Sequence, residues 1–329
     1  MKHPAYHLRT NKAVDRLEWI RQIGKTIIQE SKSEYISLGG PFLEDMKLVH
    51  SYFPRMQLTS IEGNLQTFNR QNFHKFCSKI KLHNKKIEDF LVHDYAPNKQ
   101  SFFWLDFTDL STECFRAFRT VLTKAPDRSL VRITLRAEPS RVISEVGDHL
   151  TPEQKLQIEE RINSEFLGKF ESILSHDAPR TPLCSASEFA RTVQLMTRRI
   201  ASEALDAKSE RDFKHITTAR YDDGSQMISI TGVILERENI KNSIKELRQK
   251  ELNITDWPIP SIIDVPILSL LERQSINMVL PSKTAKDLGT RLTKRLKYNI
   301  DNGERKSSIA LENYANHYLA YPSFLRVDF

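Results

Sequence analysis

The residues best placed to do chemistry in this chain are a pair of glycines and a few acids that close apolar runs. Gly39 and Gly40 stop the short run Tyr35-Ile36-Ser37-Leu38, and a helical pattern follows from Phe42. Glu62 closes a second run, Leu58–Ile61, about 20 residues further on, the spacing at which a strand-end acid takes the two ribose hydroxyls of a bound nucleoside. A glycine turn between strand and helix lets the backbone itself approach a ligand. Asp106 ends the most apolar run of the first half, Ser101-Phe102-Phe103-Trp104-Leu105-Asp106-Phe107, with Asp109 in the loop beyond it. A carboxylate or imidazole beside a reacting hydroxyl can take its proton, which makes Asp106, Asp109 and His83 candidate bases. Each residue also has a plainer reading. Glu62 can be a surface acid of an ordinary βαβ unit, Asp106 and Asp109 can cap the next helix, and His83 can be an exposed strand end.

To act together these residues need a scaffold that gathers them, and the apolar spacing predicts one. A first helix is expected after Asn11, its N-cap, with Leu17, Ile20, Ile23, Ile27 and Ile28 on one face. Strands at Tyr35–Leu38, Leu58–Ile61, Ile80–Leu82, 101–107 and Ser129–Leu135 alternate with helices from Phe42, over Leu65–Phe76, near Ile87–Val92 and over about Ser111–Thr123. That order predicts an α/β fold with a parallel sheet and right-handed crossovers. Ligands in such sheets bind outside the carboxyl ends of the strands, where Gly39, Glu62 and Asp106 would meet. Residues 139–215 read as a helical insertion, with Pro152 at a helix start. Asp222-Asp223-Gly224-Ser225 lies between two β-rich runs and predicts a hairpin over 216–235. The remainder, 237–329, reads as mainly helical, and its aromatic-rich last segment is expected to dock on the core.

Composition narrows the function classes. The 329 residues are 39% hydrophobic and 28% charged, as in a soluble globular protein. No apolar run approaches the ~20 residues that cross a bilayer, and the first twelve residues lack the apolar segment of a secretory signal. Three well-separated cysteines, Cys77, Cys114 and Cys184, form no CxxC pair, so neither a disulfide framework nor a zinc site is indicated. A cytoplasmic location is the expectation. The net charge of +7 permits an anionic partner. Eight Lys or Arg between Lys283 and Lys306 could contact phosphates of a nucleic acid, although a solvated helix face is the commoner explanation. Neither a GxSxG nor a GxxxxGK[ST] motif is present, which argues against the usual hydrolase and nucleotide-triphosphatase machinery.

The segments LGGPFLED, SIEGN, FWLDFTD and ITLRAEP resemble a bacterial group described as putative O-methyltransferases, within the class I S-adenosylmethionine-dependent methyltransferases. The likeness covers roughly residues 13–136 and the hairpin 216–235. It implies a Rossmann-like core over 1–138, a helical insertion over 139–215, a hairpin completing the sheet over 216–236 and a helical C-terminal region over 237–329. It also implies S-adenosylmethionine as cofactor, with Leu38, Gly39 and Gly40 under its methionine part, Glu62 on the ribose hydroxyls, and Asp106 lining the pocket. The usual glycine motif has an acid followed by three alternating glycines. This chain has two adjacent glycines, no acid before them, and Glu44 and Asp45 after them. Two functions are therefore expected: a methyltransferase of unknown acceptor, or the same fold serving as a catalytically silent binding subunit for a protein or nucleic-acid partner.

Overall fold

A computed structural model describes residues 9–139, 151–179, 181, 183, 185–282 and 286–322. The chain forms two compact units. The larger comprises Ile20–Arg220 and Ser225–Pro260; the smaller takes the chain up to Trp19, the turn Tyr221–Gly224 and the chain from Ser261 on.

The first helix, α1, spans Thr10–Thr26 and leads to β1 (Ser33–Ser37), α2 (Glu44–Tyr52), β2 (Gln57–Ile61), α3 (Leu65–His74) and β3 (Ile80–His83). Then come α4 (Ile87–His93), β4 (Gln100–Asp106), α5 (Thr112–Lys124) and β5 (Leu130–Arg136). Two long helices, α6 (Pro152–Phe170) and α7 (Ala186–Ala204), precede the hairpin β6 (Arg211–Asp222) and β7 (Gln226–Glu236). The strand order is β3-β2-β1-β4-β5-β7-β6-β8, where β8 is the short Ser261–Ile263. Pairs β1–β2, β2–β3, β1–β4 and β4–β5 are parallel, whereas β5–β7 is antiparallel. The expected α/β sheet with its terminal hairpin is therefore present. The order turns round at β1, with β2 on one side and β4 on the other, and ligands settle at such switch points.

Both faces of the central strands are buried, but they differ. On one, Ile36, Ile61, Phe103, Leu105, Val131 and Ile133 share an apolar core with Phe115 and Phe118 of α5, Phe166 and Phe170 of α6, and Phe189 of α7. The α6 and α7 helices thus pack on the sheet itself. The alternate positions point to the other face and carry polar groups. Arg132 is only 2% exposed. Its Nε donates to Thr231 Oγ1 at 2.8 Å, and its guanidinium lies 5.5 Å from the Trp104 ring centroid. Trp104 Nε1 in turn donates to Thr134 Oγ1 at 2.9 Å. A cation is tolerated there because acceptor oxygens and a π face replace its water.

Three local expectations need correction. Asn11 lies inside α1, buried, where its Nδ2 donates to Asp222 O at 2.8 Å and its Oδ1 accepts from Val265 N at 3.0 Å. Its side chain joins the hairpin turn to the segment after β8, so tertiary partners displaced the capping role. Ile28 lies beyond the end of α1 and is 65% exposed, outside the apolar face assigned to it. The helix after the glycine turn starts at Glu44, two residues late, because the buried Leu43 takes a left-handed conformation (φ 54°) and closes a turn through Leu43 N to Gly40 O at 3.1 Å.

Helix α8 (Ile240–Gln249) belongs to the larger unit, and the smaller holds α9 (Leu270–Asn277), α10 (Leu288–Leu296) and α11 (Glu304–His317). Leu268, Ile276, Leu292, Leu311 and Tyr314 form its core. Gly289 of α10 faces the Ser308 backbone of α11 so closely that a Cβ would collide. Of the aromatic C-terminal segment, Tyr321 is docked, donating from its hydroxyl to Pro266 O at 3.1 Å; residues 323–329 lie outside the described residues.

Candidate active site

Register brings the expected residues to one edge. Ser37 pairs with Ser60 on β2 and with Trp104 on β4. Two residues further along each chain stand Gly39, Glu62 and Asp106, level with one another at the carboxyl ends of three adjacent parallel strands.

The turn is built from close contacts. A Cβ on Gly39 would lie 2.5 Å from Ser60 Oγ and 3.1 Å from Leu43 Cδ2, so only glycine fits. Beneath it, the buried Gln71 of α3 donates from Nε2 to the Gly39 carbonyl, and its Oε1 accepts from Ser60 Oγ at 3.1 Å. Gly40 differs: a Cβ there would meet nothing within 4 Å. The turn therefore presents bare backbone at Gly40 while Gly39 is clasped from below. Leu38 is tied to β4, its N–H donating to Trp104 O at 3.4 Å.

Glu62 is oriented rather than loose. Its Oε1 accepts from the Asn64 backbone N–H at 2.7 Å, and its own N–H donates to His83 O at 3.0 Å. No hydrogen bond engages Oε2 among the described residues. Asn64 also caps α3, accepting from Thr67 N at 3.0 Å.

A third acid completes the edge. Asp45, in the first turn of α2, accepts from Ser37 Oγ at 2.6 Å and from Tyr35 Oη at 2.8 Å, both on its Oδ2. Burial and then the Asp45 charge hold the Tyr35 phenol protonated, well above its ordinary range. An acid that follows the glycines thus reaches back to the strand that precedes them. The signal was present in sequence as polar residues at positions 35 and 37, but their link to residue 45 depends on how the turn folds back.

Asp109 stands in a different place. It lines a cavity of about 350 Å³ together with Leu110, Arg136, Phe166, Phe170 and Phe189. Its carbonyl accepts from Arg136 N at 3.3 Å, and its Oδ1 lies 3.5 Å from Cys114 Sγ. Burial pushes the Cys114 thiol up to about 12. Neither carboxylate caps α5, whose N-cap is Ser111. His83 is not among the residues lining this cavity; it lies beside Glu62, whose N–H donates to its carbonyl. It ends the edge strand β3, packs edge-on against Phe90 at 5.0 Å, and burial lowers its pKa. The Arg136 and aromatic wall of the cavity escaped sequence reading.

Among the described residues no His, Cys, Asp and Glu group has the arrangement of a metal site, and no helix is long and apolar enough to cross a membrane. Residues 4–329 match the family described as "Putative O-methyltransferase". The chain belongs to that family. Among solved structures it is similar to the plantazolicin methyltransferase BpumL in complex with SAH, at 10% identity and a TM-score of 0.37, covering 68% of this chain and 85% of that one. It is also similar to a protein from Klebsiella pneumoniae described as a "putative O-methyltransferase" (10% identity, TM-score 0.39, 71% and 84% covered). Cofactor-bound Rv0187 from MTB is similar too (10% identity, TM-score 0.36, 72% and 85% covered). No curated protein matches the chain.

Proposed function

We propose that this O-methyltransferase family member uses S-adenosylmethionine as methyl donor and an oxygen nucleophile as acceptor. The observation that carries this reading is the edge itself: bare backbone at Gly40 among three carboxylates, Asp45, Glu62 and Asp106. A sulfonium and an ammonium are cations and gain from such surroundings, whereas the phosphates of a dinucleotide would be repelled. Glu62, held by Asn64 with one oxygen uncommitted, is the residue for the ribose hydroxyls. Leu38, Gly39 and Gly40 lie under the amino-acid part, and Asp106 lines the pocket towards the acceptor. When bound, the cofactor supplies an electrophilic methyl group; the chain's part is to bind, orient and keep water out.

Calorimetric titration with S-adenosylmethionine and S-adenosylhomocysteine tests this. Wild type should bind both, and Glu62→Ala should weaken binding roughly 10- to 100-fold, the worth of a hydrogen bond to a charged group. Wild-type protein that binds neither would sink the reading.

A second reading rests on the smaller unit. Lys286, Arg291, Lys294, Arg295, Lys297, Arg305 and Lys306 are all exposed around α10, against Asp287, Asp301 and Glu304; Lys283 lies outside the described residues. Such a face suits an anionic partner such as nucleic acid. Binding of duplex or single-stranded probes that falls steeply with salt would support it.

A further inference from the structure

We infer that the cavity beside Asp109 takes the acceptor, and that this acceptor is a small neutral hydroxyarene, a phenol-class molecule. The inference rests on the methyltransferase reading for the reaction, but not for the binding.

Size comes first. At about 350 Å³ the cavity lies at the small end of ligand pockets, room for one or two fused rings rather than a macromolecular segment. Its floor is aromatic. Phe166 lies 4.9 Å from Phe170 and 5.2 Å from Phe189, ring centre to ring centre, and both contacts are tilted or edge-on, so ring faces and edges are offered to a planar guest. Ile162 and Leu110 extend the apolar wall.

The polar groups then select the functional group. Arg136 Nε is buried and has no hydrogen-bond partner among the described residues. A buried donor left unmade is costly, so it calls for an acceptor atom from a guest. Asp109 lines the same cavity, its backbone tied to that of Arg136 at 3.3 Å, and its carboxylate supplies an acceptor to a guest there. One group satisfies both neighbours: a hydroxyl, which donates to the carboxylate and accepts from the guanidinium. A carboxylate guest would meet Asp109, Glu138 and Glu165; an ammonium would meet Arg136 and Lys169. Glu165 is already balanced by Arg161 at 3.8 Å. The cavity thus holds a near-neutral polar pair over an aromatic floor.

The chemistry follows from these positions. The hydroxyl oxygen attacks the sulfonium methyl carbon, the carbon–sulfur bond breaks with its electron pair going to sulfur, and the proton passes to the Asp109 carboxylate. Arg136 holds the charge developing on oxygen. The products are a methyl aryl ether and the neutral thioether.

The experiment uses the full chain with 2-naphthol, 2-methoxynaphthalene, 2-naphthoate and 2-naphthylamine as probes, followed by ligand-observed NMR and calorimetry. S-adenosylhomocysteine binding is measured in parallel. The naphthol should bind at least tenfold more tightly than the ether, the carboxylate or the amine. Arg136→Gln should remove that preference, Arg136→Lys should restore part of it, and S-adenosylhomocysteine affinity should change less than twofold in either. Asp109→Asn should leave naphthol binding within a few-fold, yet slow methyl transfer to it at least 100-fold and shift its rate profile to higher pH. Equal affinity for naphthol and its ether, or a preference untouched by Arg136→Gln, would overturn the assignment. Naphthol selected by a protein that does not bind S-adenosylhomocysteine would uphold the cavity's chemistry while refuting the methyl-transfer reading.

Discussion

The carboxyl edge of the sheet has two halves built on opposite plans. On the β1–β2 side, residues close in sequence make the site: Gly39, Gly40, Asp45 and Glu62 lie within one βαβ unit. There, backbone and carboxylates do the work, and Ser37, Tyr35 and Asn64 fix the acids in place. On the β4–β5 side, Asp109 and Arg136 meet three phenylalanines from α6 and α7, elements that enter the chain well after the strands they cover. One half suits a constant, polar, cationic cofactor; the other is an aromatic cavity whose lining can change without disturbing the turn. A fold that separates these tasks can keep one ligand and vary the other.

That separation can be broken most forcefully through the cavity floor. Phe170 is 1% exposed and packs against Phe166 and, at 6.4 Å, Phe115. Phe170→Ala should cost about 3–5 kcal/mol, seen as a fall in the thermal midpoint of roughly 10 °C. Affinity for S-adenosylhomocysteine, measured well below that midpoint, should hold. If it falls in step with stability, the halves are not independent.

A control outside both halves is His215, 1% exposed and stacked at 4.5 Å on Trp257. Its ring nitrogens meet Thr255 Oγ1 at 2.6 Å and Thr218 Oγ1 at 2.8 Å. Burial lowers its pKa to about 4. Since the folded value lies below the unfolded one, stability is full above about pH 6.5 and is lost as pH falls towards 4, by up to about 3 kcal/mol. Chemical denaturation at pH 7 and pH 4.5 reads this out, and His215→Gln should flatten the difference.

The two glycines sharpen the comparison within the cofactor half. Gly39→Ala must displace Ser60 or Leu43 and should cost about 1–3 kcal/mol. Gly40→Ala adds a methyl to open space and should leave the thermal midpoint within a degree or two. It should nevertheless weaken S-adenosylmethionine binding at least tenfold if the space it fills receives the ligand, as proposed. Loss of stability without loss of affinity in Gly40→Ala would remove Gly40 from the site.

This contrast also explains what could be read from the chain. Gly39, Glu62 and Asp106 were legible because parallel register maps strand ends onto one edge, so a local pattern predicts a convergence. The sheet and hairpin were legible for the same reason, since period and turn chemistry are local. Arg136 was hidden because it closes a strand that looked only like core, and its neighbours Phe166 and Phe189 sit on helices whose apolar faces read simply as packing. Asn11 misled as a cap because residues more than 200 positions away claim its side chain. His83 was a plausible base until the strand order put it at the far edge.

Asp45 is the smallest and most discriminating test, because it belongs to both fold and site. Its Oδ2 receives two hydroxyls that are themselves buried, Tyr35 at 0% and Ser37 at 2% exposure. Asp45→Ala would leave both without an acceptor and should cost about 1–3 kcal/mol. Asp45→Asn keeps an acceptor oxygen and removes only the charge, so stability should change by less than about 1 kcal/mol. If the carboxylate serves the cofactor, its charge matters most to the ligand with the extra positive charge. S-adenosylmethionine, a sulfonium, should then lose several-fold in affinity while S-adenosylhomocysteine, a thioether, loses less, and the gap should narrow at high salt. Equal affinities for both ligands before and after Asp45→Asn would make Asp45 a brace for β1 alone, and would leave Glu62 and Asp106 as the acids of that half.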